Sequence, residues 1–197
     1  MRIGLDIDGV MYKWDNTARY MLRNVLPDSP YKDDENLMHE ATYWNYIPDH
    51  VAPEHWEWLW KDGVKLGLFR YGNLYKGTIQ AVRHLATLGD VVLITHRPAQ
   101  AVTDTLAWLG LMDLPIKGLH LLTNQEAKSG VRPYCDVYLD DKPENVEDLK
   151  RNTSAKLVCL REQPWNLNIP TGKSIRRVQG WATFMHLVES LSGHLNA

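Results

Sequence analysis

Short continuous apolar runs recur along the chain and alternate with amphipathic stretches. "IGLDI" (3–7), "DVVLITH" (90–96), "GLHLLT" (118–123), "DVYLDD" (136–141) and "KLVCL" (156–160) read as strands. Val91 to Ile94 are uninterruptedly apolar, the pattern of a strand covered on both faces, as in a parallel sheet. Between these runs lie helix-like segments at 77–89, 99–111 and 145–152, and a last one at 181–191. Strand and helix alternate, which predicts an α/β fold with a doubly wound parallel sheet.

Residues 15–75 break the alternation. This stretch has no continuous strand, and it is aromatic: Trp44, Trp56, Trp58 and Trp60 fall there, with Tyr20, Tyr31, Tyr43, Tyr46, Tyr71 and Tyr75. A helix-rich insertion after the first strand is the simplest description. Such an insertion emerges at the C-terminal edge of the sheet, where ligands bind in open α/β folds. In "HWEWLW", Trp56 and Trp60 stand at i and i+4, on one helical face.

Composition narrows the class. Apolar residues make up 44% of the 197, which argues for a packed core rather than a disordered chain. The net charge is −2 and no long basic run occurs, so tight binding to duplex nucleic acid is not expected. The two cysteines, Cys135 and Cys159, have neither the number nor the spacing of a disulfide framework or a zinc site. No signal-peptide pattern and no apolar run of membrane-spanning length is present, and the expectation is a soluble, cytoplasmic protein without a membrane partner.

Against this background the acids stand out. Asp6 and Asp8 close the first strand candidate, two residues apart and followed by Gly9. Asp140 and Asp141 close the fourth, and parallel strands put both ends on one edge. Four converging carboxylates repel unless a cation sits among them, and an oxygen-only set without His or Cys favours Mg²⁺. Thr95, with His96 after it, ends the second strand candidate, and Lys128 follows the third. A hydroxyl, backbone amides and an ammonium are the groups that hold a phosphate. Asn145 reads as a helix cap. Arg97 reads equally as a phosphate or base contact and as the start of the next helix with Pro98. His39, His50 and His55 have no metal-ligand spacing and read as surface or packing residues.

The ordered set "DIDGV", "LITHR", Lys128 and "LDDKPEN" resembles the haloacid dehalogenase superfamily of phosphohydrolases over nearly the whole chain. The resemblance implies a three-layer, Rossmann-like core formed by 1–14 and 76–197, with 15–75 as a small helical cap. It implies Asp6 as a nucleophile forming an aspartyl-phosphate, and Asp8 as general acid and then base. Thr95, His96 and Lys128 would hold the phosphoryl group. Asp6, Asp8, Asp140 and Asp141 would form the Mg²⁺ site, with the direct ligand of the last pair left open. Asp8 is absent from dehalogenase members, so its presence points to phosphate chemistry. More narrowly, "FRYGNLYKGTIQAVRHL" and "LVCLREQPWN" are similar to the 5′(3′)-deoxyribonucleotidase branch. The expected activity is a Mg²⁺-dependent phosphomonoesterase acting on a small phosphomonoester, a (deoxy)nucleoside monophosphate. The alternatives are a polynucleotide 3′-phosphatase, a sugar-phosphate phosphatase, and a phosphate-binding module without turnover. Tyr43, Trp44, Tyr46 and Arg97 are the candidates for substrate contact from the cap side. Cap aromatics could also serve a homodimer contact.

Overall fold

The computed structural model describes residues 1–195. Its strands β1 (Arg2–Leu5), β2 (Asp90–Thr95), β3 (Gly118–Leu121), β4 (Val137–Asp140), β5 (Leu157–Arg161) and β6 (Arg176–Val178) form one six-stranded sheet in the order β3-β2-β1-β4-β5-β6. Every pairing is parallel, with Leu5 opposite Leu93 on one side and Leu139 on the other. The α/β expectation is met, and the five strands expected from apolar runs are all present.

Alternation along the strands explains how both faces are covered. Ile3, Leu5, Val91, Leu93, Val137, Leu139 and Cys159 share a buried cluster with helices α5 (Thr78–Leu88), α6 (Val102–Met112) and α8 (Trp181–Leu195). Their neighbours Val92, Ile94, Tyr138, Val158 and Leu160 pack on the other face with Val146 and Leu149 of α7 (Pro143–Asn152). Continuous apolar runs are what this two-sided burial requires. Strand β6 was not anticipated. It is three residues long and reads Arg-Arg-Val, a charged edge strand without an apolar run to mark it.

The insertion holds α1 (Trp14–Asn24), α2 (Glu35–Met38), α3 (Tyr46–Asp49) and α4 (Pro53–Trp58), which runs on into a π-helical turn at Leu59–Gly63. Leu22, Leu37, Ile47, Leu59, Leu68 and Phe69 form its own buried cluster, joined by Ala101 from the region before α6. The chain leaves and re-enters the sheet through paired legs. Lys13 N–H donates to Asn73 C=O at 2.8 Å, and Tyr75 N–H to Met11 C=O at 2.9 Å. The buried Tyr12 hydroxyl donates to Leu68 C=O at 2.6 Å and accepts from Gly72 N–H at 2.7 Å. The chain order reverses beside β1, so the crevice at its C-terminal end is the expected ligand position of a doubly wound sheet. None of the described helices is long and apolar enough to cross a membrane.

Candidate active site

The loops after β1, β2, β3 and β4 meet at that edge. Asp6 continues the ladder for one bond, its N–H donating to Leu139 C=O at 2.9 Å, and this sets its side chain beside the end of β4. Lys128, in a short 3₁₀ turn at Lys128–Gly130, is buried between two acids. Its Nζ lies 2.8 Å from Asp6 Oδ1 and 2.6 Å from Asp140 Oδ2. Asp6, Asp140 and Asp141 each offer a carboxylate oxygen within 4.8 Å of the others.

Burial shapes the charge of this cluster. It pushes the Asp6 carboxyl up to about 7; the Lys128 ammonium opposes the rise, while Asp140 and Asp8 add to it. Burial also drives Asp141 well above the ordinary carboxylate range, reinforced by the charges of Asp140 and Asp6. Burial disfavours the Lys128 ammonium, but Asp140 and Asp6 outweigh it and hold the lysine charged. Three carboxylates against one ammonium leave two negative charges over when all are ionised. An all-oxygen set of that charge fits a hard divalent cation such as Mg²⁺.

The acids are held by neighbours from two quoted stretches, "LDDKPEN" and "LVCLREQPWN", whose individual roles the sequence did not assign. Asn145 Nδ2 donates to both Asp140 oxygens, at 3.1 and 3.2 Å. It is therefore not the cap of α7, whose N-cap position is Lys142. Trp165 Nε1 donates to Asp141 Oδ2 at 2.9 Å. Asn166 Nδ2 donates at 2.8 Å to both Asp141 C=O and Arg161 C=O, and Gln163 Nε2 donates to Gly9 C=O. One loop after β5 thus ties the first acid loop to the last. Gly9 has φ +74°, and a Cβ there would overlap the Asp141 carboxylate. The glycine is required for both conformation and space.

Asp8 is handled differently. Its carboxylate lies outside the three-acid cluster and is grasped by Arg97, with Nε 2.9 Å from Oδ2 and Nη2 2.8 Å from Oδ1. The Asp8 carboxylate, expected in the metal set with Asp6, Asp140 and Asp141, faces Arg97 in this geometry. Arg97, read equally as a phosphate or base contact and as the start of the next helix, precedes the 3₁₀ turn at Ala99–Ala101. Its guanidinium is buried under Tyr12, Phe69 and Trp108 and faces Asp8 rather than the cleft. Thr95 is buried, and its Oγ1 accepts from Arg97 N–H at 3.3 Å. His96 lines the cleft, its Nε2 2.9 Å from Glu126 C=O.

Above this floor opens a cleft of about 590 Å³, bordered by Asp6, Asp8, Asp141, Thr95 and His96. The insertion supplies its aromatic wall. Trp14 and Trp60 stack at 5.6 Å and 21°, and Trp56 meets Trp60 edge-on at 5.6 Å. The expected i, i+4 pairing of Trp56 and Trp60 is present, and Trp14 joins it. Tyr43 and Trp44 line the cleft, and the Lys142 ammonium lies 5.1 Å from the Trp44 ring. Tyr46, expected beside them, instead stacks on His50 at 4.2 Å and is not among the cleft residues.

The comparisons with known proteins decide the family. A family model described as "5′ nucleotidase, deoxy (Pyrimidine), cytosolic type C protein" matches residues 1–193. The chain belongs to this family. The 5′-nucleotidase, type C, family is one of phosphoric monoester hydrolases, and the chain is such an enzyme. No curated protein sequence matches it. Among solved structures, a haloacid dehalogenase-like family hydrolase from Streptococcus pneumoniae superposes with a TM-score of 0.62 at 12% identity, covering 94% of this chain and 97% of that one. A putative hydrolase of the same superfamily from Bacillus subtilis, bound to magnesium, gives a TM-score of 0.64 at 10% identity over 95% and 98% of the two chains. A predicted phosphoglycolate phosphatase from Haemophilus somnus gives 0.59 at 13% identity over 94% and 96%. At these identities the superpositions speak to fold alone, and this chain shares the fold of those hydrolases.

Proposed function

We propose that the chain is a Mg²⁺-dependent phosphomonoesterase that hydrolyses (deoxy)nucleoside monophosphates through an aspartyl-phosphate on Asp6. The observation that carries this reading is Lys128, ion-paired with both Asp6 and Asp140 at the foot of an aromatic-walled cleft. Residues 1–14 and 76–197 serve as the catalytic core and 15–75 as a cap that contributes the base-binding wall. The metal would be held by Asp6 and the Asp140–Asp141 pair. When bound, it supplies positive charge that screens the phosphate from the attacking carboxylate.

The chain's own groups account for the rest. The Thr95 hydroxyl and the Lys128 ammonium hold the phosphoryl oxygens and offset the charge that builds on them. An Asp6 oxygen forms a bond to phosphorus as the ester P–O bond breaks, and protonated Asp8 gives its proton to the leaving oxygen. Water then attacks the acyl phosphate while Asp8 takes its proton. The P–O bond to Asp6 breaks, and inorganic phosphate and both carboxyl groups are regenerated. The stacked Trp14 and Trp60 rings offer a π-face to the nucleobase.

The test is phosphate release from a panel of nucleoside 5′- and 3′-monophosphates, a 3′-phosphorylated oligonucleotide and a sugar phosphate, each with and without Mg²⁺. Mg²⁺-dependent release from mononucleotides, abolished in Asp6→Asn, is the expected result. Release confined to the oligonucleotide or the sugar phosphate would replace the nucleotidase assignment. No release from any monoester would overturn the phosphomonoesterase reading.

A further inference from the structure

The geometry points to Arg97 as a positioning residue that holds Asp8 in register with the leaving group, an inference that rests on the phosphomonoesterase reading above. Three of its N–H···O contacts reach Asp8: Nε to Oδ2 at 2.9 Å and to Oδ1 at 3.2 Å, and Nη2 to Oδ1 at 2.8 Å. Such a planar fork fixes the plane of a carboxylate, which a single point charge does not do. No other side-chain partner of Asp8 is present among the described residues, so its orientation rests on this one clamp.

The clamp itself cannot turn. Nη1 donates to Phe69 C=O and to Thr105 Oγ1, both at 3.2 Å, and the main-chain N–H of Arg97 is bonded to Thr95 Oγ1. Three rings surround the guanidinium, Tyr12 at 4.4 Å, Phe69 at 4.9 Å and Trp108 at 5.2 Å. The Arg97 side chain is 0% exposed, whereas Asp8 keeps 26%. The arginine therefore lies behind the acid, and Asp8 still presents an edge to the cleft. Arg97 links the end of β2, the insertion's return segment at Phe69 and helix α6, and brings all three to bear on one carboxylate. A proton carrier placed wrongly by an ångström loses most of its effect, and general acid catalysis is worth roughly 10²–10⁴-fold.

Proton donation matters only for a leaving group that needs it. A nucleoside 5′-oxygen leaves as an alcohol and requires the proton of Asp8; p-nitrophenolate leaves without one. Arg97→Lys keeps the charge and removes the fork. Its kcat/KM for a nucleoside monophosphate should fall about 100-fold. Its kcat/KM for p-nitrophenyl phosphate should stay near that of the unmodified chain, because phosphoryl transfer to Asp6 no longer depends on Asp8. Water attack still needs Asp8, so p-nitrophenol should appear as a burst of one equivalent followed by a slow steady state. Thr105→Val loosens the clamp without touching Asp8 and should show the same split, smaller in size. Circular dichroism and thermal melts establish that each variant is folded.

A uniform loss of kcat/KM on both substrates in folded Arg97→Lys, or no loss on either, would overturn the inference while leaving the phosphomonoesterase reading in place. If Arg97→Lys fails to fold, Thr105→Val decides alone by the same criterion. Absence of turnover by the unmodified chain on both substrates would overturn the reading and the inference together.

Discussion

At Gly9 two demands fall on one residue. The backbone turns with φ +74°, and the space a Cβ would take belongs to Asp141. Gly9→Ala should destabilise the chain by at least about 1–2 kcal/mol, the penalty of the left-handed backbone region alone. It should also depress phosphate release further than that loss explains, because Asp141 must move; a urea melt alongside an activity assay separates the two effects. The "DIDG" pattern made the turn legible, but the overlap with Asp141 lies 132 positions along the chain and no local pattern carries it. Asn145 shows the converse case. Its spacing before a helix suited a cap, whereas its amide binds the Asp140 carboxylate from five residues away. Asn145→Ala should therefore raise the Mg²⁺ concentration for half-maximal activity by about 10- to 100-fold, the usual effect of losing a group that orients a metal ligand. A Mg²⁺ titration of initial rates reads this directly, and an unchanged midpoint would return Asn145 to a structural role.

Elements with one dominant period are legible in the sequence, and those without it are not. Strand β2 is apolar from Val91 to Ile94 because both of its faces are covered, and few arrangements besides a buried central strand produce that run. The short helices α2 and α3, four residues each, are too brief to show a 3.6-residue repeat, and the insertion was legible as a helix-rich aromatic region but not helix by helix. The π-helical turn after α4 was equally invisible, yet it carries Trp60. Trp60 lines the cleft and is 40% exposed, while the helix around it stays packed through Leu59. Trp60→Ala should raise KM for a nucleoside monophosphate by about 5- to 150-fold, from a stacking contribution of roughly 1–3 kcal/mol. KM for ribose 5-phosphate, which has no base, should stay the same. An equal rise for both would place Trp60 in the packing of the insertion rather than in base recognition.

At the scale of the whole molecule, the fold draws four separate chain segments to one edge and buries their charges there, and this sets a dependence on pH. The folded Asp6 carboxyl titrates at about 7, above its ordinary 3.8, and Asp141 is shifted in the same direction. Between those values the folded chain binds more protons than the unfolded one, so stability contributed by these groups falls as pH rises through that window. Lys128 is shifted upward as well, and its contribution persists through neutrality and is lost only in alkali. A divalent cation binds the ionised carboxylates, and so it should restore what the rising pH removes. Mg²⁺ should then raise the melting temperature more at pH 8 than at pH 5, and a concentration about 100 times its dissociation constant adds about 2.7 kcal/mol. Other groups titrate over the same range, and Asp6→Asn isolates the cluster: without metal its melting temperature should fall less between pH 4 and pH 7 than that of the unmodified chain. Thermal melts of the two chains, with and without Mg²⁺, give the four curves needed. Equal Mg²⁺ shifts at both pH values, or parallel curves for the two chains without metal, would mean that the buried acids at the sheet edge do not govern this dependence.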